Sequence, residues 1–164
     1  MADQIISQEY LHQIFDYKDG NLYWKKPKRS DLLGKIAGGI DPTTKYFNVK
    51  IDNKKYKNHR LIFLYHYGFL PKCLDHIDGN PQNNCIENLR KATYLQNSYN
   101  TKLPSTNKSG VKGVCWDKIR KKWVARVSFQ YKEHFIGHFD ELDKAKVAII
   151  EARNKLHGEF ARHK

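Results

Sequence analysis

The sequence predicts an α+β fold made of two small modules in tandem. The first hundred residues alternate short helical and strand patterns, whereas the last third shows three strand patterns followed by one amphipathic helix. Residues 101–109, TKLPSTNKS, have the composition of a linker. The predicted domains are therefore residues 1–100 and residues 110–164, joined by this linker.

The first module is predicted to begin with a helix and a strand. Ser7 is a suitable N-cap, and four apolar or aromatic residues follow it on one helical face: Tyr10, Leu11, Ile14 and Phe15. Asp19-Gly20 indicates a turn, after which Leu22, Tyr23 and Trp24 form a short strand pattern. Residues 25–45 are rich in Lys, Gly, Asp and Thr and are predicted to be irregular.

A hairpin and a buried helix are predicted next. Phe47, Val49 and Ile51 alternate with polar residues, and Asp52-Asn53 is expected to turn this strand back on itself. Residues 60–67 are apolar at helical spacing, and Gly68 is expected to end that helix. Further along, Thr93 is predicted to cap a short helix.

The second module has a simpler pattern. Its predicted strands are residues 111–116, 122–129 and 133–139, and its predicted helix is residues 140–157. Alternation along the second strand places Trp123, Ala125 and Val127 on one face. That face is expected to pack on the apolar side of the helix, which carries Ala145, Ala148, Ile149, Ala152 and Leu156.

Charge and composition narrow the possible partners. The chain has 30 Lys and Arg against 17 Asp and Glu, a net charge of +13, which favours a polyanionic partner such as nucleic acid. No apolar run approaches the ~18 residues of a membrane span, so no membrane partner is expected. Cys73, Cys85 and Cys115 are an odd number with no CxxC pair, which argues against disulfides or a four-cysteine zinc site and fits the cytoplasm.

The segment that carries candidate chemistry is polar and rich in asparagine. It contains LDHIDGN at residues 74–80, NNCIENLR at residues 83–90, and Asn97. Hydrolysis of a phosphodiester needs a base, for which histidine is suited, and a divalent cation, which takes oxygen ligands. Asp75 and Asn97 can supply such oxygens. The alternative is that these Asp and Asn residues only form turns through their own hydrogen bonds.

The combination of these residues resembles the HNH endonucleases of phages and mobile introns, over roughly residues 7–100. The resemblance implies a ββα-metal module in which His76 is the general base and Asn88 braces the loop that carries it. It also implies one divalent ion, Mg²⁺ or Mn²⁺, held by Asp75 and Asn97. The final His of the family name is replaced by Asn97, as in the homing-type subfamily.

Three more residues of this module are candidate contacts to DNA. In the family, the pair that matches His59 and Arg60 precedes a helix beside the site, where it can contact DNA or support the fold. Arg90 is a candidate contact to a phosphate, although a solvated basic side chain is the alternative.

Residues 110–161 resemble the Apetala-type (ethylene-response-factor) DNA-binding domain, through GVKGV at 110–114, KWVARV at 122–127 and IGHFD at 136–140. That resemblance implies a three-stranded sheet lying in the major groove. Trp116 can either contact DNA or belong to the core, and the sequence does not decide between these two positions. The predicted DNA contacts are Lys112, Trp116, Lys118, Arg120, Lys122, Arg126 and Phe135.

The sequence as a whole predicts a metal-dependent endonuclease acting on double-stranded DNA in the cytoplasm of a prokaryotic or phage-infected cell. A monomer is favoured over a dimer, since no heptad seam is present. One alternative is a non-catalytic DNA-binding regulator with a decayed nuclease core. The presence of all four motif residues, Asp75, His76, Asn88 and Asn97, argues against it. The other alternative is a module stabilised by zinc bound to Cys73, Cys85 and His76, but the spacing of these residues is unfavourable for a zinc site.

Overall fold

Helices and strands both contribute to the fold, which confirms the predicted α+β class. The structure, a computed structural model, describes residues 6–163. The chain divides into two compact units, Met1–Ala92 and Thr93–Lys164.

The described part of the first unit, residues 6–92, contains two α-helices and seven short strands. The helices are α1 (Gln8–Ile14) and α2 (Asn58–Tyr67). The strands pair as three antiparallel sets. They are β1 (Phe15–Lys18) with β2 (Asn21–Trp24); β3 (Gly39–Ile40), β4 (Phe47–Ile51) and β5 (Lys54–Lys57); and β6 (Cys73–His76) with β7 (Leu89–Ala92).

Local sequence signals explain several boundaries in this unit. The Ser7 hydroxyl accepts a hydrogen bond from the backbone N–H of Tyr10, so α1 begins with the predicted cap. Asp52 and Asn53 both have positive φ, as a two-residue type I′ hairpin requires. Gly68 ends α2 in the left-handed conformation at φ 73°.

The core of the first unit lies between the helices and the hairpins. Its fully buried members include Leu11, Phe15, Leu22, Val49 and Ile62. The prediction that Phe15 continues the first helix was wrong. Phe15 has extended backbone angles and opens β1, where its ring is still buried against Trp24.

The second unit contains helix α3 (Tyr94–Tyr99), strands β8 (Val114–Asp117), β9 (Lys122–Phe129) and β10 (Lys132–Phe139), and helix α4 (Leu142–His157). The sheet is antiparallel in the order β10-β9-β8. Its core joins Ala125 and Val127 of β9 to Ala145 and Ile149 of α4, and Trp123 packs against it as predicted. A β-bulge near Ile136 shifts the register between β9 and β10.

The boundary between the units falls before α3 and not in the predicted linker. Helix α3 belongs to the second unit because the Tyr99 ring stacks on His157 of α4, with centroids 3.9 Å apart. Residues 101–109 form no helix or strand. Asn107 and Ser109 nevertheless donate hydrogen bonds to the carbonyls of Val111 and Val114, which ties part of this segment to the sheet.

Within residues 6–163, none of the helices combines the length and the apolar character that crossing a bilayer requires.

Helix α2 begins with two buried polar side chains. Asn58 is fully buried and His59 is 6% exposed. Neither side-chain amide atom of Asn58, nor Nδ1 of His59, has a hydrogen-bond partner within residues 6–163. Burial, followed by electrostatic repulsion from His76 when it is protonated and from Lys57 and Arg60, lowers the pKa of His59 to about 3. His59 is therefore neutral in the folded protein at neutral pH.

We expect the free energy of unfolding to fall as the pH is lowered from about 6.5 towards about 3, because unfolded His59 takes up a proton in this range and folded His59 does not. The contribution of this one residue is about 1.4 kcal/mol per pH unit. Urea unfolding at several pH values measures it.

The His59→Gln variant should lose most of this pH dependence. His12→Gln, a change at an exposed histidine on α1, is the matched control and should retain it. An unfolding free energy whose pH dependence is the same in wild type and His59→Gln would contradict the burial account.

Candidate active site

The polar motif forms a β-hairpin with a long connection. Strands β6 and β7 are antiparallel, with Asp75 opposite Arg90 and His76 opposite Leu89. All four residues of β6 are buried. The connection of residues 77–88 starts with a turn in which the Gly79 N–H donates to the His76 carbonyl at 2.7 Å, and Gly79 has φ 65°. Because the end of β6 is paired with the start of β7, the first and last residues of the connection lie close together.

Asp75 and Arg90 form a buried ion pair across this hairpin. The Asp75 side chain is 4% exposed and that of Arg90 is 14% exposed. The guanidinium donates from Nε at 2.9 Å and lies with Nη2 at 2.7 Å from the same carboxylate oxygen, Oδ2. Arg90 was predicted as a phosphate contact, and the structure places its guanidinium on Asp75. This pairing depends on strand register, which the sequence pattern did not reveal.

His76 lies at the end of β6 and is 7% exposed. Its Nε2 is 3.1 Å from Oδ1 of Asn84, a side chain that is itself 3% exposed. Since Oδ1 can only accept, this contact is a hydrogen bond when Nε2 of His76 carries a proton. Asn84 belongs to the sequence motif, but the motif alone does not indicate this contact. The only signal was its place in the Asn83-Asn84 pair.

Two aromatic rings flank His76. The His59 ring is edge-on at a centroid distance of 5.0 Å, and the Tyr46 ring lies at 6.2 Å. Tyr46 also contacts His59 at 5.3 Å and carries the Lys57 ammonium 4.4 Å above its ring centre. The neighbouring Arg60 is turned elsewhere and donates to the Pro71 carbonyl at 3.3 Å. His59 thus packs against His76, while Arg60 holds the chain after α2.

Asn88 ties the two ends of the connection together. Its amide nitrogen donates to the Asn83 carbonyl at 2.8 Å and to the Asp78 carboxylate at 3.0 Å, and its amide oxygen accepts from the Asp78 N–H at 3.0 Å. The Asn88 carbonyl also accepts from the Ile77 N–H at 2.9 Å. These four bonds fix the backbone immediately after His76.

Asp78 completes this network as a charged acceptor. Burial raises the pKa of its carboxyl, but hydrogen bonds from Asn80, Asn83 and Asn88 outweigh that effect and leave the pKa below its ordinary value. Asp78 is therefore ionised at neutral pH and serves to hold the loop.

Asn97 is carried by α3 in the second unit. The helix opens with a full capping box, in which Thr93 and Gln96 exchange side-chain and backbone hydrogen bonds. The structure thus brings together Asp75, His76, Asn88 and Arg90 in the first unit and places Asn97 in the unit that begins at Thr93.

The donor chemistry fits a hard divalent ion. An aspartate carboxylate and an asparagine amide both offer oxygen, the ligand atom that Mg²⁺ and Mn²⁺ prefer. Among residues 6–163, no group of three or more His, Cys, Asp or Glu side chains is placed to hold a metal, which gives no support to a zinc module built on Cys73 and Cys85.

The predicted DNA contacts of the second unit differ in exposure and in the side of the sheet on which they lie. Most are exposed on the strands and turns of the sheet: Lys118, Arg120, Arg126 and Phe135, with Lys122 half-buried. Arg126 and Phe135 are cross-strand neighbours and therefore share one face, the face opposite α4. Nearby carboxylates offset three of these cations, since Arg120 pairs with Asp117, Lys122 with Asp140 and Arg126 with Glu133.

Trp116 and Lys112 do not lie on the sheet face opposite α4, which for Trp116 is the alternative left open by the sequence. Trp116 is opposite Trp123 in the register, with the rings edge-to-face at 5.1 Å, so it lies on the side of the sheet that faces α4. Lys112 is half-buried, and its ammonium donates to the carbonyls of Tyr99 at 3.0 Å and Thr101 at 2.6 Å. Both placements follow from tertiary packing that the strand pattern does not encode.

Comparison with known proteins gives the family of the chain. A model of the HNH endonuclease family matches residues 56–99, the segment that contains His59, Asp75, His76, Asn88 and Asn97. "Protein 3.8" of Escherichia phage T7 is 43% identical over 99 residues, which cover 58% of this chain and 79% of that protein. No solved structure matches significantly.

A second relative carries the family name. An uncharacterized HNH endonuclease of Acanthamoeba polyphaga mimivirus is 35% identical over 118 residues, which cover 70% of this chain. The match spans 60% of that protein, less than two thirds of its length. The matched motif and these relatives together show that the chain belongs to the HNH endonuclease family.

Proposed function

We propose that the chain is a metal-dependent endonuclease that hydrolyses phosphodiester bonds in duplex DNA, with His76 as the general base. The observation that carries the proposal is the arrangement of His76 at the end of β6. Its imidazole is held by Asn84 at 3.1 Å, and the backbone that follows is fixed by Asn88. A base must be held in a defined position to take a proton efficiently.

The chemistry of the neighbours supports this role. Asn84 holds the His76 ring through Nε2, and the imidazole would accept the proton from water. His59 stays neutral, since burial lowers its pKa to about 3, and therefore adds no positive charge beside His76. Tyr46 and His59 instead supply ring contacts that limit rotation of the imidazole.

Asp75 and Asn97 would hold the divalent ion, Mg²⁺ or Mn²⁺. When bound, such an ion neutralises charge on the scissile phosphate and on the leaving 3′-oxygen. Arg90 fixes the orientation of the Asp75 carboxylate through Oδ2. Arg90 is therefore a positioning residue in this proposal, and its own role as a DNA contact is secondary.

The second unit would bind duplex DNA through the face of its sheet opposite α4, as the resemblance to the Apetala-type domain suggests. The proposed contacts are Lys118, Arg120, Lys122, Arg126 and Phe135, and the net charge of +13 favours them. Trp116 and Lys112 are placed away from such a face.

One site cuts one strand, so a monomer would nick duplex DNA and a pair of chains would break it.

A non-catalytic DNA-binding protein is the second candidate function. The buried ion pair between Asp75 and Arg90 favours it, because that pair also serves as a purely structural link across the hairpin.

Incubation with supercoiled plasmid tests the first candidate. With Mg²⁺ or Mn²⁺ we expect open circles, and with EDTA we expect none, because the phosphate charge is then not neutralised. The His76→Ala protein, purified in the same way, should leave the plasmid supercoiled, whereas His12→Ala, a change at an exposed histidine of α1, should cut normally. Cleavage that persists in EDTA or in His76→Ala would overturn the proposal, and a plasmid that is bound but never cut would favour the second candidate.

Binding to a short duplex at several salt concentrations tests the proposed DNA face. We expect the Arg126→Ala and Lys118→Ala changes together to weaken binding and to reduce the slope of log affinity against log salt by about 2, since each lost phosphate contact lowers it by about 1.

The paired changes Lys146→Ala and Lys155→Ala, at exposed positions of α4, are the matched control. They remove the same charge from the same unit and should leave the slope nearly unchanged. An equal effect of both pairs would show that binding follows net charge and not this face.

A further inference from the structure

A cleft of about 390 Å³ opens in the second unit. It is walled by the end of α3, the segment after it, β9 and α4. Its volume is in the range of small-molecule sites and is larger than a bare ion needs. The lining residues that matter here are Tyr99, Thr101, Lys112, Tyr131, Arg153 and His157.

Two cations form the inner part of this cleft. Arg153 on α4 is 2% exposed, and Lys112, from the turn before β8, is half-buried. Arg153 donates from Nη2 to the Lys112 carbonyl at 2.6 Å, which links the two residues directly. Its Nη1 lies 2.9 Å from Nδ1 of His163. The cations are thus held in place by neutral groups.

No carboxylate within residues 6–163 lies close enough to form an ion pair with Lys112 or Arg153. The other basic residues discussed for this unit differ, since Arg120, Lys122 and Arg126 each face an acid. A buried charge without a counter-charge costs free energy, and its field falls on neighbouring groups. Burial, and then the charge of Arg153, lowers the pKa of Lys112 to about 8.

The positive charges of Arg153 and Lys112 also act on a third group, His163. Burial, followed by the charges of Arg153 and Lys112, lowers the pKa of His163. An anion in the cleft would offset the positive potential that these groups share. The long contact of 3.4 Å from the Lys112 ammonium to the Thr101 hydroxyl is one that a stronger acceptor can replace.

We propose that this cleft binds a phosphate group of a nucleic acid or nucleotide through Lys112 and Arg153. A guanidinium next to an ammonium is suited to the several oxygens and the high charge of phosphate. Tyr131, 89% exposed at the rim, offers a ring on which a base can stack. Lys112 would then contact phosphate in this cleft and not on the sheet face proposed to bind DNA, although Arg126 of that face also borders the cleft.

This proposal rests on the proposed DNA binding only if the phosphate comes from DNA. Its test requires neither a metal ion nor DNA cleavage. Titration calorimetry of the full chain in EDTA with inorganic phosphate, at constant ionic strength, is the first measurement. We expect saturable binding, weakened at least tenfold by Lys112→Met and changed less than twofold by Lys146→Met on the exposed side of α4. No binding up to about 10 mM phosphate, or an equal loss in both variants, would overturn the proposal.

Competition separates the two sources of phosphate. If short duplex DNA displaces inorganic phosphate, the site takes the DNA backbone. If thymidine 5′-monophosphate displaces it and duplex DNA does not, the site takes a free nucleotide or strand end. Either result supports the site, whereas displacement by neither would contradict its assignment to nucleic-acid phosphate.

A measurement on the unmodified chain covers the case in which Lys112→Met does not fold. In amide NMR spectra titrated with inorganic phosphate, the signals of Lys112, Gly113 and Ser128, which border the cleft, should move together. Shifts confined to the exposed lysines of α4 would place the anion elsewhere and overturn the proposal.

Discussion

The buried ion pair between Asp75 and Arg90 is the interaction on which the candidate active site depends. Removing either partner would take its counter-charge across the hairpin from a buried side chain, which is destabilising. The pair also fixes the register of β6 and β7, since the two residues lie directly opposite each other. Once that register is set, His76 ends its strand beside the start of the polar connection, and Asn88 closes the connection from its other end.

Around this pair, asparagine and histidine side chains hold other groups of the site in position. Asn84 holds the His76 ring, and Asn88 holds the backbone that follows it. His59 packs on His76 and is kept neutral by burial, which stabilises the site but makes the first unit sensitive to acid. In the second unit the charges are arranged differently. Arg120, Lys122 and Arg126 each pair with an acid, whereas Lys112 and Arg153 have no such partner within residues 6–163.

Features set by neighbouring residues in the sequence could be predicted well. The Ser7 cap, the Asp52-Asn53 turn, the end of α2 at Gly68 and the Thr93 cap follow from local chemistry. Features set by register or tertiary packing could not be predicted. The partners of Asp75 and His76, the side of the sheet on which Trp116 lies and the burial of Lys112 all depend on which strands and turns meet. The roles of His76, Asp75 and Asn97 stay predictions.

The central claim is that His76 takes the proton in the chemical step. Single-turnover cleavage of a defined duplex, with Mg²⁺ and with protein in excess, tests it most directly when the dissociation constant for the same duplex is measured alongside. We expect His76→Ala to lower the cleavage rate constant by about 10²–10⁴-fold and to leave the dissociation constant unchanged. A variant that binds equally well and cleaves at the wild-type rate would contradict it.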